Sequence, residues 1–175
     1  MEDTTVNNSL RFTEKDYHLF SVPADKAALR LLGKVLCHRL PDGNTLHIRI
    51  TETEAYSHED KVCYGYGKEP TEATSPLFQK GGTCCIYGAM LLIACGQEGE
   101  PDNVLLRCGA DESGHVFNGP NLLYNGLQLN KDVAHGINLL TSDNLWLEGV
   151  DEVKEYRQTK RVRTSDDGQN SFILL

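Results

Sequence analysis

The fold is decided by Lys34-Val-Leu-Cys-His-Arg-Leu40, Pro41-Asp-Gly-Asn44 and Thr45-Leu-His-Ile-Arg-Ile-Thr-Glu-Thr-Glu-Ala-Tyr56. The first and third segments are rich in apolar and β-branched residues, which predicts two β-strands. The middle segment carries the residues that are typical of a tight turn. We therefore expect an antiparallel β-hairpin over residues 34–56.

The rest of the chain predicts short strands with helices set apart from them. Residues 23–33 predict a helix, because proline stands near its start and glycine just after its end. We expect a long surface loop at 57–82, a strand or strand pair at 83–95, a strand at 104–108, a helix at 119–128 and a strand at 145–148. This order indicates an α+β fold with a mostly antiparallel sheet, forming a single domain over 11–175 behind a disordered leader at 1–10.

The composition is that of an ordinary globular protein, with 39% hydrophobic and 24% charged residues. No basic, apolar leader and no stretch long enough to span a bilayer is evident, so we expect a cytoplasmic or nuclear protein. The six cysteines include no Cys-x-x-Cys pair, which predicts reduced core thiols, no metal site and no cofactor. The formal net charge of −8 argues against a nucleic-acid partner, although Lys160-Arg-Val-Arg163 leaves room for a locally basic cleft.

Two carboxylates follow the apolar residues of the second predicted strand, which alternate at Leu46, Ile48 and Ile50. Unless a bulge intervenes, the same period places Glu52, Glu54 and Tyr56 on that inward face. A buried carboxylate is costly, so this placement favours a functional role. Alternatively the strand twists out of the core, leaving both glutamates solvated or paired with Arg49 and Lys61. The pattern by itself indicates hydrolytic chemistry at most, since a glycoside hydrolase or a metal site would use paired acids equally.

Several ordered segments resemble the alkyladenine (3-methyladenine) DNA glycosylase family between Arg11 and about Val150. They are Leu31-Leu-Gly-Lys-Val-Leu36, Arg39-Leu-Pro-Asp-Gly43, Thr51-Glu-Thr-Glu-Ala-Tyr56, Gly81-Gly-Thr83, Ile86-Tyr-Gly88, Val104-Leu-Leu-Arg107 and Asn118-Gly-Pro120. The resemblance implies a curved antiparallel sheet, minor-groove binding, flipping of the damaged nucleotide, and hydrolysis without metal or cofactor. It also implies a monomer that acts in base excision repair on double-stranded DNA containing damaged purines.

The resemblance assigns roles to individual residues. Glu54 is similar to the family's general base, and Arg107 to the arginine that helps to hold the attacking water. Tyr56 resembles the aromatic wall on which the flipped base stacks. Counted back from Arg107, Tyr87 resembles the tyrosine that wedges into the duplex; counted forward from Thr83, it falls on a second stacking tyrosine. We favour the wedge, because that register needs no gap downstream.

The pocket departs from the family pattern at two base-binding positions. Tyr64 stands where the family has a histidine, and Ala94 stands where an asparagine normally borders the base. The loop between Arg107 and Gly119 is shorter than usual, and residues 159–175 match only loosely a segment that normally closes the site.

These departures leave three functions open. The first is an active monofunctional glycosylase. The second is a relative that binds DNA or damaged bases without catalysis, and the third is a hydrolase of another N-glycoside, such as a nucleoside, that uses Glu54 and Glu52.

Overall fold

The computed structural model describes residues 11–149, 153–162 and 168–175. The expected leader at residues 1–10 lies outside the described residues. The helices are α1 (Ala24–Leu31), α2 (Pro120–Gly126) and α3 (Lys131–Ala134), with 3-10 turns at Glu14–Leu19 and Ser75–Phe78. The strands are β1 (Val35–Arg39), β2 (Thr45–Tyr56), β3 (Cys84–Tyr87), β4 (Met90–Ala94), β5 (Asn103–Asp111), β6 (Val116–Asn118), β7 (Leu145–Glu148), β8 (Tyr156–Thr159) and β9 (Ser171–Leu174).

The strands form one curled antiparallel sheet with the order β3-β4-β5-β2-β1-β7. Strand β6 pairs with β5, and β9 pairs with both β2 and β8. The long strand β2 is central, since it pairs with β1, β5 and β9. The predicted α+β class with a curved, mostly antiparallel sheet is confirmed, as is the hairpin of β1 and β2.

Helix α1 covers one face of the sheet. Its alanines and Leu31 are buried against apolar side chains of β1, β2, β5 and β7. The helix ends as the sequence predicts, because Gly33 adopts a φ of +79° that favours glycine. The backbone amide of Gly33 then donates to the carbonyl of Ile50, which fixes the helix end to the central strand.

A β-bulge in β2 changes the face on which its carboxylates lie. The register between β2 and β5 shifts on both sides of Glu52. Ile50 packs beneath α1 before the bulge, and Thr53 faces α1 after it, where its hydroxyl donates to the Ala28 carbonyl at 2.9 Å. The bulge is the exception that the sequence-based expectation allowed, so the acidic residues do not share the inward face of Ile50. The extra residue turns three side chains to the opposite face of the sheet, namely Glu52, Glu54 and Tyr56.

The segment at 57–82 folds back onto the sheet instead of lying wholly on the surface. It contains no sheet strand, as expected, but Cys63 and Leu77 are buried against Tyr56 and Leu105. Apolar side chains scattered through a glycine- and proline-rich segment gave no periodic signal, so sequence could not reveal this packing. None of the helices in the described parts of the chain has the length and apolar character that a membrane span requires.

Candidate active site

A cleft of about 870 Å³ lies on the sheet face opposite α1. Its lining is drawn from β2, the segment after it, the β3–β4 hairpin, β5, the start of α2 and the C-terminal segment. Five of the six residues predicted to form the site line this cleft. They are Glu54, Tyr56, Tyr64, Tyr87 and Arg107.

Glu54 is the buried acid of the cleft, with only 1% of its surface exposed. The Tyr56 hydroxyl donates to Oε2 at 2.8 Å, and the Val162 backbone amide donates to Oε1 at 2.9 Å. Nε of Arg107 lies 3.7 Å from the same Oε1. Burial, and then the negative charge of Glu54, raise the pKa of Tyr56, so its phenol stays protonated and remains a donor. The carboxylate is thus fixed in orientation from three sides.

Arg107 connects the two acids of β2. Its Nε donates to Oε1 of Glu52 at 3.1 Å, closer than its 3.7 Å approach to Glu54. Glu52 also accepts hydrogen bonds from the Cys108 thiol at 3.0 Å and the Ser171 hydroxyl at 3.3 Å. Glu52 is therefore held by several donors in a partly buried position, which leaves Glu54 as the acid that faces the cleft.

Three tyrosine rings form a row along the cleft. The ring centroids of Tyr56 and Tyr64 are 5.4 Å apart, and those of Tyr64 and Tyr87 are 5.1 Å apart. Tyr87 ends β3 at the tip of the β3–β4 hairpin, where Gly88 makes the turn with a φ of +61°. Tyr87 is 39% exposed, whereas Tyr56 is buried. The row therefore runs from the buried acid to the rim of the cleft.

Ala94 is the predicted site residue that the structure does not bring to the cleft. It is fully buried in β4, opposite Asn103 of β5, and it is not among the residues that line the cleft. Met90, four residues earlier on the same strand, lines the cleft instead, where its sulfur lies 3.9 Å from the Tyr64 hydroxyl.

The C-terminal segment contributes two residues that sequence analysis did not assign. Arg161 is buried, and its Nη1 lies 2.8 Å from the Ala55 carbonyl and 2.5 Å from Oδ2 of Asp60. Its guanidinium lies 4.6 Å from the Tyr56 ring centroid, on the ring face. This anchoring places the next residue, Val162, where its amide reaches Glu54. The basic run at 160–163 was the only signal, and it gave no indication of burial.

The cleft combines a buried carboxylate, a neighbouring guanidinium and aromatic rings. Such a set can take a proton from water and can stack a planar ring, which suits hydrolysis at a sugar that carries a flat base. Among the described residues, the groups that could hold a metal ion lie outside the cleft. They are Cys37, His47 and Glu148 in one group, and His58, Glu100 and Asp102 in the other.

Comparison with known proteins gives consistent matches. A family model described as methylpurine-DNA glycosylase matches residues 18–173. The chain is 32% identical over 151 residues to a protein of Encephalitozoon cuniculi (strain GB-M1) named "Probable DNA-3-methyladenine glycosylase", covering 75% of this chain and 68% of that protein. It is 37% identical over 99 residues to the Homo sapiens protein named "DNA-3-methyladenine glycosylase", covering 54% of this chain. The matched segment spans 33% of the length of the human protein.

Proposed function

Because this chain belongs to the methylpurine-DNA glycosylase family, we propose that its cleft is the active site of a DNA glycosylase that releases a damaged purine from double-stranded DNA. The main support for this proposal is that the buried carboxylate of Glu54 lies in a cleft lined by three tyrosines. The carboxylate supplies a base for hydrolysis, and the rings supply surfaces on which a purine stacks.

Glu54 acts as the general base. It accepts a proton from a water molecule whose oxygen bonds to the anomeric carbon of the damaged nucleotide. The bond between that carbon and the purine nitrogen breaks, and its electrons leave with the base. An alkylated, positively charged purine leaves as the neutral base, and a neutral purine takes up a proton from solvent. Positive charge develops on the sugar as this bond breaks, and the carboxylate of Glu54 stabilises it. The products are a free purine and an abasic site.

The neighbours of Glu54 hold it in position for this step. The Val162 amide and Arg107 approach one carboxylate oxygen, and the Tyr56 hydroxyl binds the other. Arg107 lines the cleft, and its guanidinium holds the attacking water. Positioning of this kind matters because a proton-transfer group must lie within hydrogen-bond reach of the water.

The depth of the carboxylate favours base flipping. A purine stacked in a duplex cannot bring its anomeric carbon to a side chain that is 1% exposed, so the nucleotide must leave the helix. Tyr56 and Tyr64 then stack the extruded base. Tyr87, exposed at the rim, fills the space that the nucleotide leaves in the duplex, which offsets part of the lost stacking. As the family resemblance implies, we expect the protein to act as a monomer.

Duplex DNA containing hypoxanthine or 1,N6-ethenoadenine tests the proposal. The purified protein is incubated with each duplex, and abasic sites are then cut by heating in alkali. Strand cleavage at the lesion, with release of the free base, is the expected result. Lesion binding without cleavage would favour a relative that has lost catalysis, and cleavage of free nucleosides alone would favour a nucleoside hydrolase.

A further inference from the structure

Three side chains that could bind a metal ion lie close together on β2, β1 and β7, away from the cleft. Cys37 lies on β1, His47 on β2 and Glu148 on β7. One ligand atom from each side chain lies within 4.8 Å of the other two. Cys37 and His47 are direct partners across the β1–β2 pair, and β7 pairs with the other edge of β1. Sequence order separates these residues, and strand pairing brings them together.

The cluster lies on the sheet face that α1 does not cover. Residues that alternate with its members along the three strands are part of the core beneath α1, namely Leu36, Ile48 and Leu147. The period of two therefore turns the three ligands to the opposite face. His47 precedes Glu54 by seven residues, which is roughly 20 Å along a strand. The cluster is thus too far from Glu54 to take part in its chemistry.

The surroundings orient the cluster. Nε1 of Trp146 donates to one carboxylate oxygen of Glu148 at 2.9 Å, the kind of contact that fixes a metal-binding carboxylate. The guanidinium groups of Arg11 and Arg39 lie 4.7 and 5.3 Å from the Trp146 ring centroid. Cys37 is fully buried beneath this layer.

We propose that Cys37, His47 and Glu148 bind a zinc ion that joins three strands of the sheet. Sulfur, imidazole nitrogen and carboxylate oxygen are all zinc ligands, whereas magnesium and calcium prefer oxygen alone. Binding forms a zinc–sulfur bond and releases the thiol proton to solvent. Three protein ligands leave a fourth tetrahedral position for water. The open fourth position distinguishes this site from the closed sites of structural zinc. Its place away from the cleft means that the metal would tie β2 to β1 and β7 and would take no part in base release.

Cobalt titration of the full-length protein tests the site. Co²⁺ takes the place of zinc, and its bond to a thiolate gives a charge-transfer band in the near ultraviolet. After treatment with a chelator, the protein should bind one Co²⁺ with this band, and Zn²⁺ should remove the band. The His58, Glu100 and Asp102 group contains no thiol, so cobalt held there would give no such band.

Substitutions test whether the cobalt–thiolate band arises from Cys37. Cys37→Ser should abolish it, and Cys108→Ser, which removes another buried thiol beside a carboxylate, should retain it. If Cys37→Ser does not fold, His47→Gln and Glu148→Gln should each weaken Co²⁺ binding at least tenfold while keeping the circular dichroism of the parent. Excess Zn²⁺ should also raise the Tm of the parent by about 5 °C and not that of the variants. Absence of the band, or its persistence in Cys37→Ser, would overturn the proposal.

Discussion

Replacing Arg161 by methionine should lower both the free energy of unfolding and the rate of base release. The change removes the bonds to Ala55 and Asp60 and the contact with the Tyr56 ring, while keeping much of the side-chain volume. Removing one partner of a buried ion pair costs about 3 to 5 kcal/mol. Asp60 is 20% exposed and regains some hydration, so we take the lower figure of about 3 kcal/mol. For a domain of this size that loss lowers the Tm by about 6 to 12 °C.

Catalysis should fall as well, because Arg161 anchors the segment whose Val162 amide binds Glu54. A hydrogen bond to a charged group contributes about 1.5 to 3 kcal/mol. Because that bond orients the general base, its loss should slow release of the purine by about 10- to 150-fold. Single-turnover excision should be measured with saturating enzyme, well below the Tm of the variant, so that unfolding and weak binding do not enter the rate.

Two further variants separate positioning from folding. Arg161→Lys keeps a cation beside Asp60 but loses the planar contact with Tyr56, so it should recover part of both the Tm and the rate. Arg157→Met changes an exposed arginine on β8 and should leave the Tm nearly unchanged. If Arg161→Met loses stability yet releases the base within twofold of the parent rate, Arg161 has no part in positioning Glu54.

Three other substitutions test the wedge role of Tyr87, the position of Ala94 and the titration of His58. Tyr87→Ala should weaken binding to lesion-containing duplex more than to single strands, and equal losses would refute a wedge. Ala94→Asn places an amide in the core, so it should lower the Tm. The ratio of single-turnover rates on hypoxanthine and 7-methylguanine duplexes should not change. A tenfold change in that ratio would show that Ala94 borders the base. The hydrogen bond to Asp102 raises the pKa of His58 above 6.5, so its stabilising effect is present at acid pH and is lost as pH rises through the raised value. His58→Asn should reduce this dependence of stability on pH, and an unchanged profile would contradict it.

Local signals predicted much of the fold. The helix before Gly33 and the hairpin of β1 and β2 depend on residues close together in sequence, and both are confirmed. The bulge at Glu52 could not be predicted, because it arises from the pairing of β2 with β5, more than fifty residues later. Its effect is large, since a shift of one residue moves every later side chain to the other face.

The site residues that could be predicted depend on local spacing, whereas those that were missed depend on contacts between distant parts of the chain. Glu54 and Tyr56 are two positions apart and stay together on one face whether or not a bulge precedes them. Arg161 contacts Ala55 from more than a hundred residues away, and nothing in its local sequence marks it as buried. Ala94 was placed by counting residues from Arg107, a method that fixes its position in the strand but not its access to the cleft.

Base release by Glu54→Gln, compared with that by Glu52→Gln, shows whether Glu54 is the general base. Glutamine keeps the shape of Glu54 but cannot accept the proton of the water, so the variant should bind a hypoxanthine duplex nearly as well as the parent and release no base. Glu52→Gln should retain measurable excision, because Glu52 is held by Arg107, Cys108 and Ser171 and does not line the cleft. Excision by Glu54→Gln within a few-fold of the parent rate, together with its loss in Glu52→Gln, would contradict the assignment of Glu54 as the base.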